Sequence, residues 1–162
     1  MACANGALVW DAERDEVIRE VGFEPATLSG AIAGLREAVP GVAFALLSAR
    51  TMFADEGYVA LRRKRTAGAE LFSDVSQVLA SQQIVMVAVR HPRLMADEFV
   101  AAASEAFASI GYASFAGAAT VDIAPWGMTK TGAVSEEMAE AGCPAGSTVV
   151  FGDMPNDLPL FA

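Results

Sequence analysis

Residues 149–157 read VVFGDMPND: an apolar run, a glycine, and two aspartates bracketing Met-Pro-Asn. The reading of this stretch decides the fold. Val149, Val150 and Phe151 are β-prone, so residues 147–151 are predicted to form a short buried strand. The acidic turn then lies at that strand's carboxyl end, where ligands gather in parallel α/β sheets. Upstream, Thr129 precedes a run in which Val134, Met138 and Ala141 recur at helical spacing, and Gly142 closes it. ATVDIAP, before Thr129, reads as another strand. Strand, helix, strand predicts a βαβ unit with a parallel pair.

The chemistry of the turn follows from its side chains. Asp153 and Asp157, with Asn156 between them, offer hard oxygen ligands. Such donors suit Mg²⁺, which takes one or two carboxylates and completes its shell with water and phosphate. Asn156 or Asp157 would serve equally as the cap of a following helix, with Pro159 tolerated in its first turn. From spacing alone both readings stand. Lys130 opens the preceding helix, where its charge opposes the dipole, so helix stability does not explain it. A cation over the same strand ends would offset a phosphate or a carboxylate. Phosphoryl transfer asks for a metal, a fixed positive side chain and a nucleophile.

Outward from this region the chain alternates. GALVW at 6–10 and EVIREV at 16–21, joined by polar residues, predict a hairpin. Leu28, Ile32, Leu35 and Val39 form one helical face within 26–38, stopped by Pro40-Gly41. VAFALLS at 42–48 and IVMVAV at 84–89 read as strands, the second a central one. Between them, residues 49–72 stay unresolved, and Ser73 or Asp74 caps a short helix. Phe99, Ala103, Ala106, Phe107 and Ile110 line a further helix, and YASFAG pairs with ATVDIAP. A change of pattern near residue 118 suggests two lobes.

Composition narrows the function. The chain has 162 residues and a formal charge of −9, which disfavours nucleic acid as a partner. Its one basic cluster, Arg62 to Arg65, reads as a solvated segment. No apolar run has the length of a membrane span, so no membrane partner is expected. Cys3 and Cys143 stand apart and outside any CxxC, as free thiols of a cytoplasmic protein do. A single histidine, His91, makes a zinc site a poor fit. Arg50, Arg90 and His91 lie near strand ends and read as solvated polar residues.

DIAPWGMTK at 122–130 followed by VVFGDMPND at 149–157 resembles the C-terminal signature of haloacid dehalogenase-like hydrolases, most closely Cof-type phosphatases with a large α+β cap. CANGALVWD at 3–11 resembles the strand and hairpin that precede the cap in that family. The resemblance implies an α/β fold, a partial Rossmann-like core carrying an α+β cap. Residues 1–22 would be a core edge, 23–119 the cap and 120–162 the returning core. It also implies Mg²⁺ as cofactor and a small phosphorylated metabolite as substrate, processed through an aspartyl-phosphate. Lys130 would hold the phosphate and nucleophile. Asp153 would ligate the metal, Asp157 would support the metal or hold Lys130, and Asn156 would shape the phosphate site.

The family's nucleophile is the first aspartate of an Asp-x-Asp pair, and this sequence has no such pair. Asp11-Ala12-Glu13 has the character of a hairpin turn. Ser48 and Arg50 in FALLSAR resemble the family's second motif but fall where the cap belongs, and read as a cap strand. The expectation is therefore a fragment that is inactive alone, with exposed core edges that favour self-association. The competing expectation is a non-catalytic cap-like module that binds a ligand or partner.

Overall fold

The computed structural model describes residues 1–61, 68–152 and 155–161, with Pro155 and Asn156 described in the backbone only. The basic cluster 62–65 lies outside the described residues. The fold is mixed α/β, with two sheets. The smaller is antiparallel and holds β1 (Ala2–Cys3), β2 (Leu8–Asp11) and β3 (Glu16–Glu20). The larger has six strands in the order β6-β5-β4-β7-β9-β8: β4 (Ala43–Leu47), β5 (Met52–Ala54), β6 (Ala69–Leu71), β7 (Met86–Arg90), β8 (Gly111–Phe115) and β9 (Val121–Pro125). Its pairings are antiparallel except β5 with β6.

Alternation along each strand divides the large sheet into two unlike faces. Phe44 and Leu46 of β4, Val87 and Val89 of β7, and Val121 and Ile123 of β9 all point to one side. There they meet α1 (Pro25–Ala38), α3 (Val75–Ser81) and α4 (Ala96–Phe107), which bring Leu28, Ile32, Leu35, Leu79, Phe99 and Phe107. Removing these large side chains from water is the main driving force for the layer. The opposite face carries small residues. Ala43, Ala45, Ala54 and Ala88 are covered there by Tyr58 of α2 (Glu56–Ala60).

Local signals set the helix ends. Glu24 accepts hydrogen bonds from the Ala26 and Thr27 amides, with Pro25 at the first position of α1. Asp55 caps α2 and Asp74 caps α3 in the same way. The predicted hairpin is present, and its turn is held by Asp11, whose Oδ1 accepts from the amides of Glu13 and Arg14.

One prediction fails. Residues 147–151 are not a strand and not buried. A 3-10 turn at Ala145–Ser147 leads into unpaired backbone, with Val149 77% and Phe151 87% exposed. β-propensity reports fit to a pleated neighbour, and among the described residues no strand pairs with 147–151. The intended partner, β9, has both edges taken, by β7 on one side and β8 on the other. The βαβ unit and its parallel pair therefore do not form. The β8–β9 hairpin also runs straight through residue 118, where the sequence pattern changes.

Helix α5 (Lys130–Glu140) likewise turns a different side inward. Ala133 is its buried residue, whereas Val134 and Met138 are half-buried and Ala141 is exposed. The reason is its neighbour. The turn Ala4–Gly6 lies against the start of α5, and Gly6 has φ +93°. A Cβ added there would stand 2.4 Å from the Thr129 carbonyl oxygen and 3.1 Å from the Ala133 Cβ. Only glycine permits both the left-handed backbone and this approach. Gly6→Ala is expected to cost about 2 kcal/mol or more, from strain and clash together. Urea unfolding of the variant checks this, and an unchanged midpoint would contradict the packing described.

Candidate active site

Three consecutive left-handed residues, Ala4, Asn5 and Gly6, bend the chain between β1 and β2. The bend buries Asn5, whose Nδ2 lies 3.9 Å from Met86 Sδ. It also seats Gly6 under the Thr129 carbonyl. Thr129 caps α5 through its Oγ1, which accepts from the Gly132 amide at 3.0 Å. Lys130 is thereby fixed as the first residue of α5.

A lysine at this end of a helix is unfavourable unless an anion meets it. Asp157 does so. Lys130 Nζ donates to Asp157 Oδ1 at 2.5 Å, across 27 residues of chain. Asp157 sits in the short 3-10 helix Pro155–Phe161 and is 6% exposed. Gly152 makes room for it: a Cβ at Gly152 would lie 2.3 Å from the Asp157 Cβ. The close approach that Gly152 allows is thus to this carboxylate's own side chain.

Lys130 and Asp157 open onto a cavity of about 560 Å³, lined also by Asn5, Met86, Asp122 and Phe151. Of the four site residues expected from sequence, the structure brings these two together. Asp153 lies outside the described residues, and so does the side chain of Asn156. Asp122 and Asn5 were not singled out by the sequence reading. Asp122 had a visible signal: it is the one acid in VDIAP, standing out of phase with Val121 and Ile123 and so on the other face. Burial pushes its carboxyl up to about 6, with Lys130 and then Arg90 pulling it back down.

The other polar candidates have structural duties. His91 is buried, and its Nδ1 accepts from the amides of Arg93 and Leu94. That fixes the proton on Nε2, which donates to the Pro40 carbonyl at 3.1 Å. The solvated reading of His91 is therefore corrected: it ties two turns together. Arg90 is half-buried, donating from Nε to Thr120 Oγ1 at 2.8 Å and from Nη1 to the Leu61 carbonyl. Arg50 is exposed and lies over the Trp10 ring. Ser48 closes the β4–β5 turn with Thr51.

The donor chemistry fits a hard divalent cation. The cavity offers carboxylate oxygen from Asp122 and Asp157, the donor type that Mg²⁺ takes.

Asp122 makes stability depend on pH. Its folded value, about 6, exceeds the ordinary 3.8, so the folded state binds the proton more tightly. Stability therefore falls as pH rises from about 4 to about 6 and is level above. Asp122→Asn removes this loss. The variant should gain roughly 2 kcal/mol on the parent across that window and keep it at neutral pH. Urea midpoints measured through the window check this, and a constant difference would contradict it.

The model of the haloacid dehalogenase-like hydrolase family matches residues 1–162. Solved structures share the fold. A Thermotoga maritima protein aligns over 97% of this chain and 59% of its own, at 20% identity and a TM-score of 0.73. A haloacid dehalogenase-like hydrolase from Bacteroides thetaiotaomicron aligns over 96% and 59%, at 12% identity and 0.71. A sugar phosphatase of haloacid dehalogenase subclass IIB aligns over 96% and 58%, at 17% identity and 0.72. The chain thus spans about three fifths of the length of these proteins. A search of curated proteins finds no match. With the family model matching from the first residue to the last, the chain belongs to the haloacid dehalogenase-like hydrolases.

Proposed function

We propose that the Lys130–Asp157 pair and its cavity are the phosphate- and metal-holding part of a Mg²⁺-dependent phosphatase of Cof type, acting on a small phosphorylated metabolite. The observation that carries this reading is the 2.5 Å contact of Lys130 with Asp157 at the edge of the cavity. A helix-opening lysine and a buried carboxylate are each unfavourable alone. Together they hold an ammonium facing a space large enough for a small ester. The family membership and the sugar phosphatase among its structural relatives support the same direction.

On this reading Lys130 offsets the charge of the ester's anionic head, and Asp157 fixes the lysine's position. Asp153 and Asp157 would hold Mg²⁺, which supplies charge neutralisation when bound. Asn156 would border the phosphate. Because the 162 residues contain no Asp-x-Asp pair, we propose that this chain alone forms no aspartyl-phosphate and turns over no ester. Asp11, the nearest candidate, is committed to its hairpin turn. The six-stranded sheet and its helices would be the cap, with the smaller sheet and α5 on the core side. On that division the cap would run on to Pro125, because β8 and β9 pair as one hairpin. Exposed Val149, Phe151, Leu158 and Phe161 favour self-association, and the free cysteines favour a cytoplasmic setting.

Calorimetric titration of the purified chain with inorganic phosphate in Mg²⁺ buffer tests the proposal. Binding is expected, weakened about tenfold or more in Lys130→Ala. Binding that ignores this substitution, or no binding, would favour a non-catalytic module instead. With p-nitrophenyl phosphate no turnover is expected. Mg²⁺-dependent hydrolysis that disappears in Asp153→Ala would overturn the inactivity.

A further inference from the structure

Asp122 occupies a position that phosphate holding does not require. β9 places it on the face of the large sheet away from α1, α3 and α4, in register with Ala88 and Ser114. Its carboxyl is largely buried and lines the same cavity as Lys130 and Asp157. Yet among the described residues no hydrogen bond ends on that carboxylate; the Ser114 hydroxyl reaches only the Asp122 backbone carbonyl. The cations nearby are engaged elsewhere. Arg90 donates to Thr120 and Leu61, and Lys130 donates to Asp157. The residue is half-buried and its carboxylate is open to the cavity, so a group held there can donate to it where no protein group does.

The local charges say which donor. Arg90 and Lys130 both act on Asp122. A third cation would be repelled by the pair, whereas a neutral O–H would not. We infer that Asp122 is a specificity-determining residue that accepts a hydrogen bond from a hydroxyl on the alcohol portion of a phosphate ester whose anionic head faces Lys130. This rests on the phosphate-holding reading of the same cavity. A site built to satisfy such a hydroxyl discriminates against the ester lacking it, because that ester leaves the acceptor stranded.

Calorimetric titrations in Mg²⁺ buffer at neutral pH, with inorganic phosphate, propyl phosphate, glycerol phosphate and aminoethyl phosphate, test the inference. The chain should bind glycerol phosphate about tenfold more tightly than propyl phosphate. Asp122→Ala should bring the two esters within about twofold of each other while inorganic phosphate still binds. Asp122→Asn keeps the side chain's size and should narrow the preference too, which covers the case in which the alanine variant does not fold. Equal affinities for the two esters in the parent chain, or a preference surviving in a folded variant, would overturn the inference. Aminoethyl phosphate binding tightest would overturn the choice of a neutral donor. Inorganic phosphate that binds without ester discrimination defeats this inference alone, whereas phosphate that does not bind defeats the phosphate-holding reading and this inference with it.

Discussion

The close seating of Gly6 beneath the Thr129 carbonyl is the constraint from which the rest of the site follows. Three left-handed residues in succession are costly for the two that are not glycine, and such backbone persists only where its surroundings hold it. Here the turn is held from both sides, by β2 pairing with β1 and β3 and by the N-terminal end of α5. The contact fixes where α5 starts, and so makes Lys130 its first residue. It also fixes which side of α5 is buried, which is why Ala133 lies inside and Val134 faces the cavity rim. The distant Asp157 can then reach the lysine because Gly152 lets the chain double back on itself. A local backbone choice near residue 5 thus sets a charge pair made by residues 130 and 157.

The two faces of the large sheet explain how an acid can be held there at all. Large apolar side chains on one face, packed against three helices, supply the stability of the layer. The other face carries alanines and has little to lose by admitting a polar group. Asp122 sits on this second face, flanked in register by Ala88 and Ser114. Placed one residue earlier, beside Val89 and Phe115, or one later, beside Val87 and Ala113, the same carboxylate would enter the apolar helical layer. The parity of one strand therefore separates a tolerable acid from an intolerable one.

Much of this was legible in the sequence where the signal is local. The hairpin, the helix within 26–38, the Asp74 cap (offered together with Ser73) and the central strand at 84–89 all follow from spacing and capping chemistry. The contact of Lys130 with Asp157 was one of the two roles for Asp157 that the family resemblance of DIAPWGMTK and VVFGDMPND implied. The strand at 147–151 was misread because β-propensity says that a segment suits a sheet, not that a sheet has a place for it. Pairing is a long-range fact: β7 and β8 had already claimed both edges of β9. Asn5 and Asp122 were missed for a related reason. A buried asparagine in a left-handed turn and an acid at one parity of a strand acquire meaning only when the faces they point to are known.

The charges in the cavity add a last step on the proposed reading. Lys130 and Asp157 cancel, and Arg90 is tied to the Thr120 hydroxyl and the Leu61 carbonyl. Among the described residues, Asp122 lines the cavity with no ion pair at contact distance, and its burial already disfavours ionisation. A phosphate brought into such a space meets a site close to neutral, with carboxylates among its walls. Lys130 can turn to it only by loosening its contact with Asp157, which is buried. A divalent cation held by Asp157 would offset that carboxylate's charge and let Lys130 face the ester. Metal and phosphate should therefore bind as coupled ligands, each raising the affinity of the other by the same factor. The tight ion pair of the present structure is then the resting arrangement of a site whose two partners are both meant for something else.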